Sequence, residues 1–116
     1  MRKDDLVRLR HMLDAAREAR SFVAGRSRCH LDKDRMLVLS LVKDIEIIGE
    51  AASKVSPETR TQHDGIPWLD IIDMRNHLVH VYFDVDLDIL WDSVAKDLPP
   101  LIAEIEKIIL KDEKAT

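Results

Sequence analysis

The chain predicts an all-α fold, an antiparallel bundle of four to five helices. Three observations carry that expectation. Only three Gly and four Pro punctuate 116 residues. Composition is 46% hydrophobic and 34% charged, and rich in the Leu, Ile, Ala, Glu, Lys and Arg that favour helices. Apolar side chains recur at steps of three and four along nearly the whole length. The length reads as one domain, 1–116, able to bury roughly two-thirds of its unfolded surface without a disulfide or metal staple.

The elements follow in order. Residues 4–23 carry apolar side chains at Leu6, Leu9, Leu13, Ala16 and Ala19 or Phe22, and these steps of three and four mark an amphipathic helix. Asp4 and Asp5 suit the positive end of that helix, and Gly25 suits its stop. Residues 26–30 read as a solvated loop. A second helix is expected from Asp32 to about Val55. Its apolar positions are so dense, from Met36 to Ala52, that it is central or serves two interfaces, as a homodimer seam would require. Gly49 inside it costs about 1 kcal/mol relative to Ala, and close approach of another backbone is a reason to accept that cost. Ser56, Pro57 and Glu58 open a turn or single-turn helix, and residues 59–65 read as a connection. A third helix is expected to start at Ile66-Pro67-Trp68 and to run to Tyr82. Asp86 is the expected N-cap of the next helix, built on Leu87, Leu90, Trp91, Val94 and Leu98. Pro99-Pro100 should kink or break it before Leu101, Ile102, Ile105, Ile108 and Ile109 resume the spacing.

Net charge is −4, and aromatic residues make up only 4% of the chain. Neither fits a protein that wraps duplex DNA or stacks bases on an aromatic platform. A locally positive pocket remains compatible with that balance. The single Cys29 permits no intrachain disulfide and fits a reducing cytoplasm. No apolar run reaches membrane-spanning length, and no His or Cys pair has zinc-site spacing, so neither a membrane nor a metal is expected. Gly-rich phosphate loops, nucleophile elbows and zinc-protease patterns are absent as well.

Residues 73–82, Asp-Met-Arg-Asn-His-Leu-Val-His-Val-Tyr, concentrate the chemistry. They hold Arg75, Asn76, His77, His80 and Tyr82, with Glu46 and Glu50 as possible neighbours on the second helix. Histidine suits proton transfer near neutrality, and the arginine fork suits a phosphate. Such a set can cleave RNA without a metal: one group takes the 2′-OH proton, another protonates the leaving 5′ oxygen, and a cation steadies the charge. On one continuous helix Asn76 and His80 would share a face, while Arg75 and His80 would point roughly 140° apart. Two copies across a two-fold axis would bring them together. A plainer account stands beside this one. Histidines near a helix end can be dipole partners, Arg75 can simply pair with Glu46 or Asp73, and the two glutamates can be a solvated edge.

The ordered set Glu46-Ile47-Ile48-Gly49-Glu50-Ala51-Ala52, Ile66-Pro67-Trp68, Met74-Arg75-Asn76, His80-Val81-Tyr82-Phe83-Asp84-Val85-Asp86, Leu90-Trp91 and Asp97-Leu98-Pro99 resembles the HepT-like branch of the HEPN superfamily. The resemblance spans nearly the whole chain. It implies a HEPN-like helical bundle and a homodimeric, metal-independent ribonuclease without cofactors. By position, Arg75 and His80 would be the catalytic pair of an Arg-x4-His motif, with Asn76 the polar residue after the arginine. The protein would be the toxin of a type VII-like toxin–antitoxin module. Tyr82 would accept AMP from a cognate minimal nucleotidyltransferase antitoxin, which silences the toxin. His77 is off the motif. The alternative is a non-catalytic helical adaptor that docks a nucleotidyltransferase or a nucleotide.

Overall fold

A computed structural model describes residues 1–79 and 84–115. Among them every regular element is helical, and the one strand-like pairing is an isolated antiparallel bridge between Val79 and Val85. The expected all-α bundle is what forms.

Helix α1, Lys3–Val23, buries Leu9, Met12, Leu13, Ala16 and Ala19. The alanines let it pack closely along α3, Arg35–Ser53, with the C-terminal helix α8, Leu98–Ala115, on its other flank. Gly25, at φ 72°, turns the chain away in the left-handed conformation that glycine adopts without strain. Asp5 is more than the dipole partner expected of it. It is buried and accepts hydrogen bonds from the Ser56 amide at 2.9 Å, the Ser56 hydroxyl at 2.6 Å and the Thr59 hydroxyl at 2.6 Å. Burial alone would raise its pKa, but those donors outweigh the burial and hold it below the usual carboxylate value.

The second long helix starts later than expected. His30–Lys33 form a single turn, α2. Asp34 is extended at φ −126° and ψ 92°, and its carboxylate accepts from the Leu37 amide at 3.0 Å. Asp34 is therefore the cap of α3, while Asp32 pairs with Arg28 at 3.1 Å. Helix α4, Pro57–Gln62, takes in residues 59–62 that read as a connection. It persists because Thr59 is buried on Asp5, and because Arg60 donates to the last carbonyls of α3, Ala52 at 3.1 Å and Ser53 at 2.7 Å.

The third expected helix is not continuous. Trp68–Ile72 form α5, Met74–Leu78 form α6, and Asp73 turns between them. Pro67 sits before α5 as its cap position and not within its first turn. Helical backbone ends at Leu78. Its carbonyl accepts from the Asp86 amide at 2.7 Å, and the β-branched Val79 extends to pair with Val85.

Asp86 caps α7, Leu87–Asp92, accepting from the amides of Asp88 and Ile89. The prolines do not break the rod that follows. A π-turn over Ser93–Asp97 leads into α8, Leu98–Ala115, which carries Pro99 and Pro100 in its first turn. Neither proline can donate a backbone hydrogen bond, and the wider turn just before them takes up the strain. The Leu98 amide reaches back to Ser93 O, and the Val94 carbonyl thus released accepts from Arg20 at 3.3 Å. Leu90, Val94, Leu98 and Ile105 on this rod meet Leu41, Ile45 and Ile48 of α3 in one apolar core.

One buried acid opposes that core. Asp44 of α3 is pushed up to about 7 by burial first, then by the hydrogen bond and the charge of Glu18 on α1. Its Oδ2 has no partner among the described residues. A native pKa above the unfolded one means that folding favours the protonated acid. The associated stability is complete below pH ~4 and is lost as pH rises through about 7. Urea unfolding should therefore show stability falling between pH 5 and pH 8, by up to about 1.4 kcal/mol per pH unit for one proton. Asp44→Asn should flatten that slope; an unchanged slope would assign the effect to another group.

Candidate active site

The close approach of α3 to α5 and α6 builds the site. Gly49 makes it possible: a Cβ there would lie 3.1 Å from the Ile72 carbonyl oxygen and 3.2 Å from that of Ile71. The glycine in the apolar helix is thus explained by a neighbouring backbone, as its cost implied. One turn before Gly49, Glu46 faces α6. Its Oε1 accepts from Arg75 Nε at 2.6 Å, a short charge-assisted hydrogen bond. The side chains are 32% and 37% exposed, so the pair sits at a groove and not in the core.

That groove has a volume of about 420 Å³ and is lined by Glu46, Gly49, Glu50, Ser53, Arg75 and Asn76, with Ile45 and Ile72 as its apolar part. Glu50 also pairs with Lys54 at 3.2 Å. Arg75, Asn76, Glu46 and Glu50 are therefore together, as the candidate cluster requires. Ser53 and Ile72 also border the groove, and nothing in the spacing singled them out.

Two expectations need correction. His77 is not a neighbour of this groove. It lines a different one, between α5–α6 and the α7–α8 rod, because α6 turns Met74 and His77 to that side. The helical angles relating Arg75 and Asn76 to His80 also fail, since they assumed one helix to Tyr82 and the helix ends at Leu78. His80 and Tyr82 themselves lie outside the described residues. Among the described residues no group of three His, Cys, Asp or Glu side chains could hold a metal ion, and no helix is long and apolar enough to cross a membrane.

A helical bundle with an arginine, an amide and glutamates at one groove is a class that known families can narrow. Residues 12–108 match the family described as Ribonuclease HepT-like. The chain belongs to the HepT-like ribonuclease family. It is similar to "Putative RNase TTE0752" of Caldanaerobacter subterraneus subsp. tengcongensis, 34% identical over 105 residues that cover 90% of this chain and 94% of that one. It is also similar to "Gamma-glutamylcyclotransferase and putative RNase MJ0434" of Methanocaldococcus jannaschii, 34% identical over 114 residues. That match covers 98% of this chain and 51% of the other, so the likeness is to about half of a longer protein. "Probable ribonuclease HepT" of Thermococcus cleftensis is 36% identical over 75 residues, 65% of this chain and 68% of that protein. No solved structure matches.

The Gly49 contact is open to direct test. In an uncrowded helix, Gly→Ala gains about 1 kcal/mol. Here the methyl group would press on two carbonyl oxygens, and overpacking of that kind costs about 1–3 kcal/mol. Gly49→Ala should therefore lower stability by about 1 kcal/mol in urea titration. A stabilised variant would mean that the helices do not approach so closely.

Proposed function

We propose that this protein is a metal-independent RNA endonuclease and the toxin of a two-component module. The observation that carries the reading is the Arg75–Glu46 bond beside Asn76, at a groove, in a chain of a ribonuclease family. A guanidinium has five N–H donors in one plane; gripping Nε restrains that plane. Arg75 then stabilises the phosphorane-like charge, and Asn76 orients the phosphate or the base. His80, two residues beyond the end of α6, takes the 2′-OH proton. The 2′ oxygen bonds phosphorus, the P–O5′ bond breaks, and the 5′ oxygen leaves with a proton. The products are a 2′,3′-cyclic phosphate and a free 5′-OH.

A homodimer fits this chemistry, because a second copy can supply a second imidazole. The outward face of α3 supports it: Met36 is 79% exposed, Leu39 51% and Ile47 36%, at helical spacing on one side. Tyr82 is assigned as the acceptor of AMP from a nucleotidyltransferase antitoxin. A phosphodiester there would compete for the arginine that substrate needs, and the purine would obstruct the groove.

Purified protein should cut RNA in EDTA and leave cyclic-phosphate ends; strict dependence on magnesium would contradict the mechanism. Arg75→Ala and His80→Ala should each slow cleavage by about 100-fold or more while keeping the helical circular dichroism spectrum. His77→Ala, in the other groove, should stay near wild type. Full cleavage by His80→Ala would remove His80 from the proton transfer, and toxicity on expression that survives His80→Ala without any RNA cleavage would favour the adaptor reading. Light scattering should give twice the 13.4 kDa chain mass, and only 13.4 kDa particles at micromolar concentration would exclude the dimer. Tyr82→Phe should keep cleavage but lose silencing by the cognate antitoxin with ATP. Mass spectrometry that finds AMP on another residue would remove Tyr82 from that role.

A further inference from the structure

The groove that His77 borders has no part in the chemistry above. It measures about 470 Å³, within the range of small-ligand pockets. Buried Ile66, Ile71, Met74 and Leu101 give it apolar walls. Ser93, only 4% exposed, also lines it, and its hydroxyl makes no hydrogen bond among the described residues. That hydroxyl is left to the groove itself, where water or a ligand can bond it.

Charge then selects the ligand class. Asp70, Asp97 and Glu104 line the groove against Lys96 and His77. Lys96 is tied to Asp92 at 3.3 Å, and Glu104 is partnered by Lys107 at 3.4 Å. Asp70 and Asp97 have no ion pair among the described residues. Phosphates and other anions would meet uncompensated carboxylates here, so this is not the RNA path. The donors do not converge as metal ligands do. Apolar walls below acidic residues favour a cation with a hydrocarbon body.

We propose that this second groove binds a small organic cation, an amine or guanidine carried on a few carbons. Its charged end meets Asp70 and Asp97, its hydrocarbon lies along Ile71 and Met74, and the Ser93 hydroxyl bonds it from within. Helix α6 separates the two grooves, with Met74 and His77 on this side and Arg75 and Asn76 on the other.

Amide NMR of the full chain tests this, with phenethylamine and agmatine as probes at about 0.15 M ionic strength, where non-specific surface attraction is screened. Expected are saturable shifts at Ile71, Met74, His77, Ser93 and Asp97, and affinity weakened about tenfold by Asp97→Asn or Asp70→Asn. Ser93→Ala should weaken binding with the spectrum otherwise intact. Shifts scattered over the acidic surface, an equal response to magnesium chloride, or affinity indifferent to all three variants would overturn the proposal. Because binding is read without RNA, its failure would leave the ribonuclease reading standing, and loss of cleavage would leave this groove untouched.

Discussion

The contact of α3 with the α5–α6 segment at Gly49 is the constraint on which the rest depends. Two carbonyl oxygens at the end of α5 occupy the space where any other residue would carry a side chain. That approach brings Glu46 within a hydrogen bond of Arg75, from a helix nearly thirty residues away in sequence. The pair is about one-third exposed, where ion pairs contribute 0–1 kcal/mol, so its value to the fold is small. Its value is positional. A long, flexible arginine is restrained at the groove, and the ordering cost is met in folding. Glu46 also offsets part of the Arg75 charge, so the arginine is held in place at some expense in attraction for phosphate.

The break in the motif segment has consequences of equal weight. One continuous helix would have spread Arg75, Asn76, His77 and His80 around a single cylinder. The chain instead turns at Asp73 and leaves helical backbone after Leu78, where Val79 pairs with Val85. Four of the five residues of α6 therefore face two separate grooves, while Leu78 is buried in the core. One holds Arg75 and Asn76 among glutamates, and the other holds His77 among carboxylates and buried apolar walls.

Much of this was legible in the sequence, and the rest was hidden for physical reasons. Apolar spacing at three and four located α1, α3 and the α7–α8 rod, and the Gly25 and Asp86 termini followed from local chemistry. Gly49 announced a close backbone. Periodicity could not reveal the break at Asp73, because apolar residues continue in helical register across it. Nor could it place the start of α3 at Asp34 instead of Asp32, since that depends on the extended backbone of Asp34 and on its carboxylate reaching the Leu37 amide. The prolines signalled disturbance correctly but not its form: a π-turn one step earlier absorbs it. The division of His77 from Arg75 is tertiary, and no spacing rule contains it.

Under the proposed function, Glu46 serves cleavage by holding Arg75. A double-mutant cycle on single-turnover RNA cleavage measures that coupling, using Glu46→Gln, Arg75→Lys and the double variant. If the two side chains act as one unit, Arg75→Lys should slow the reaction far less in the Glu46→Gln background than in the wild type, with a coupling of about 1 kcal/mol or more. Strictly additive losses would show that Glu46 and Arg75 act independently and would contradict the account.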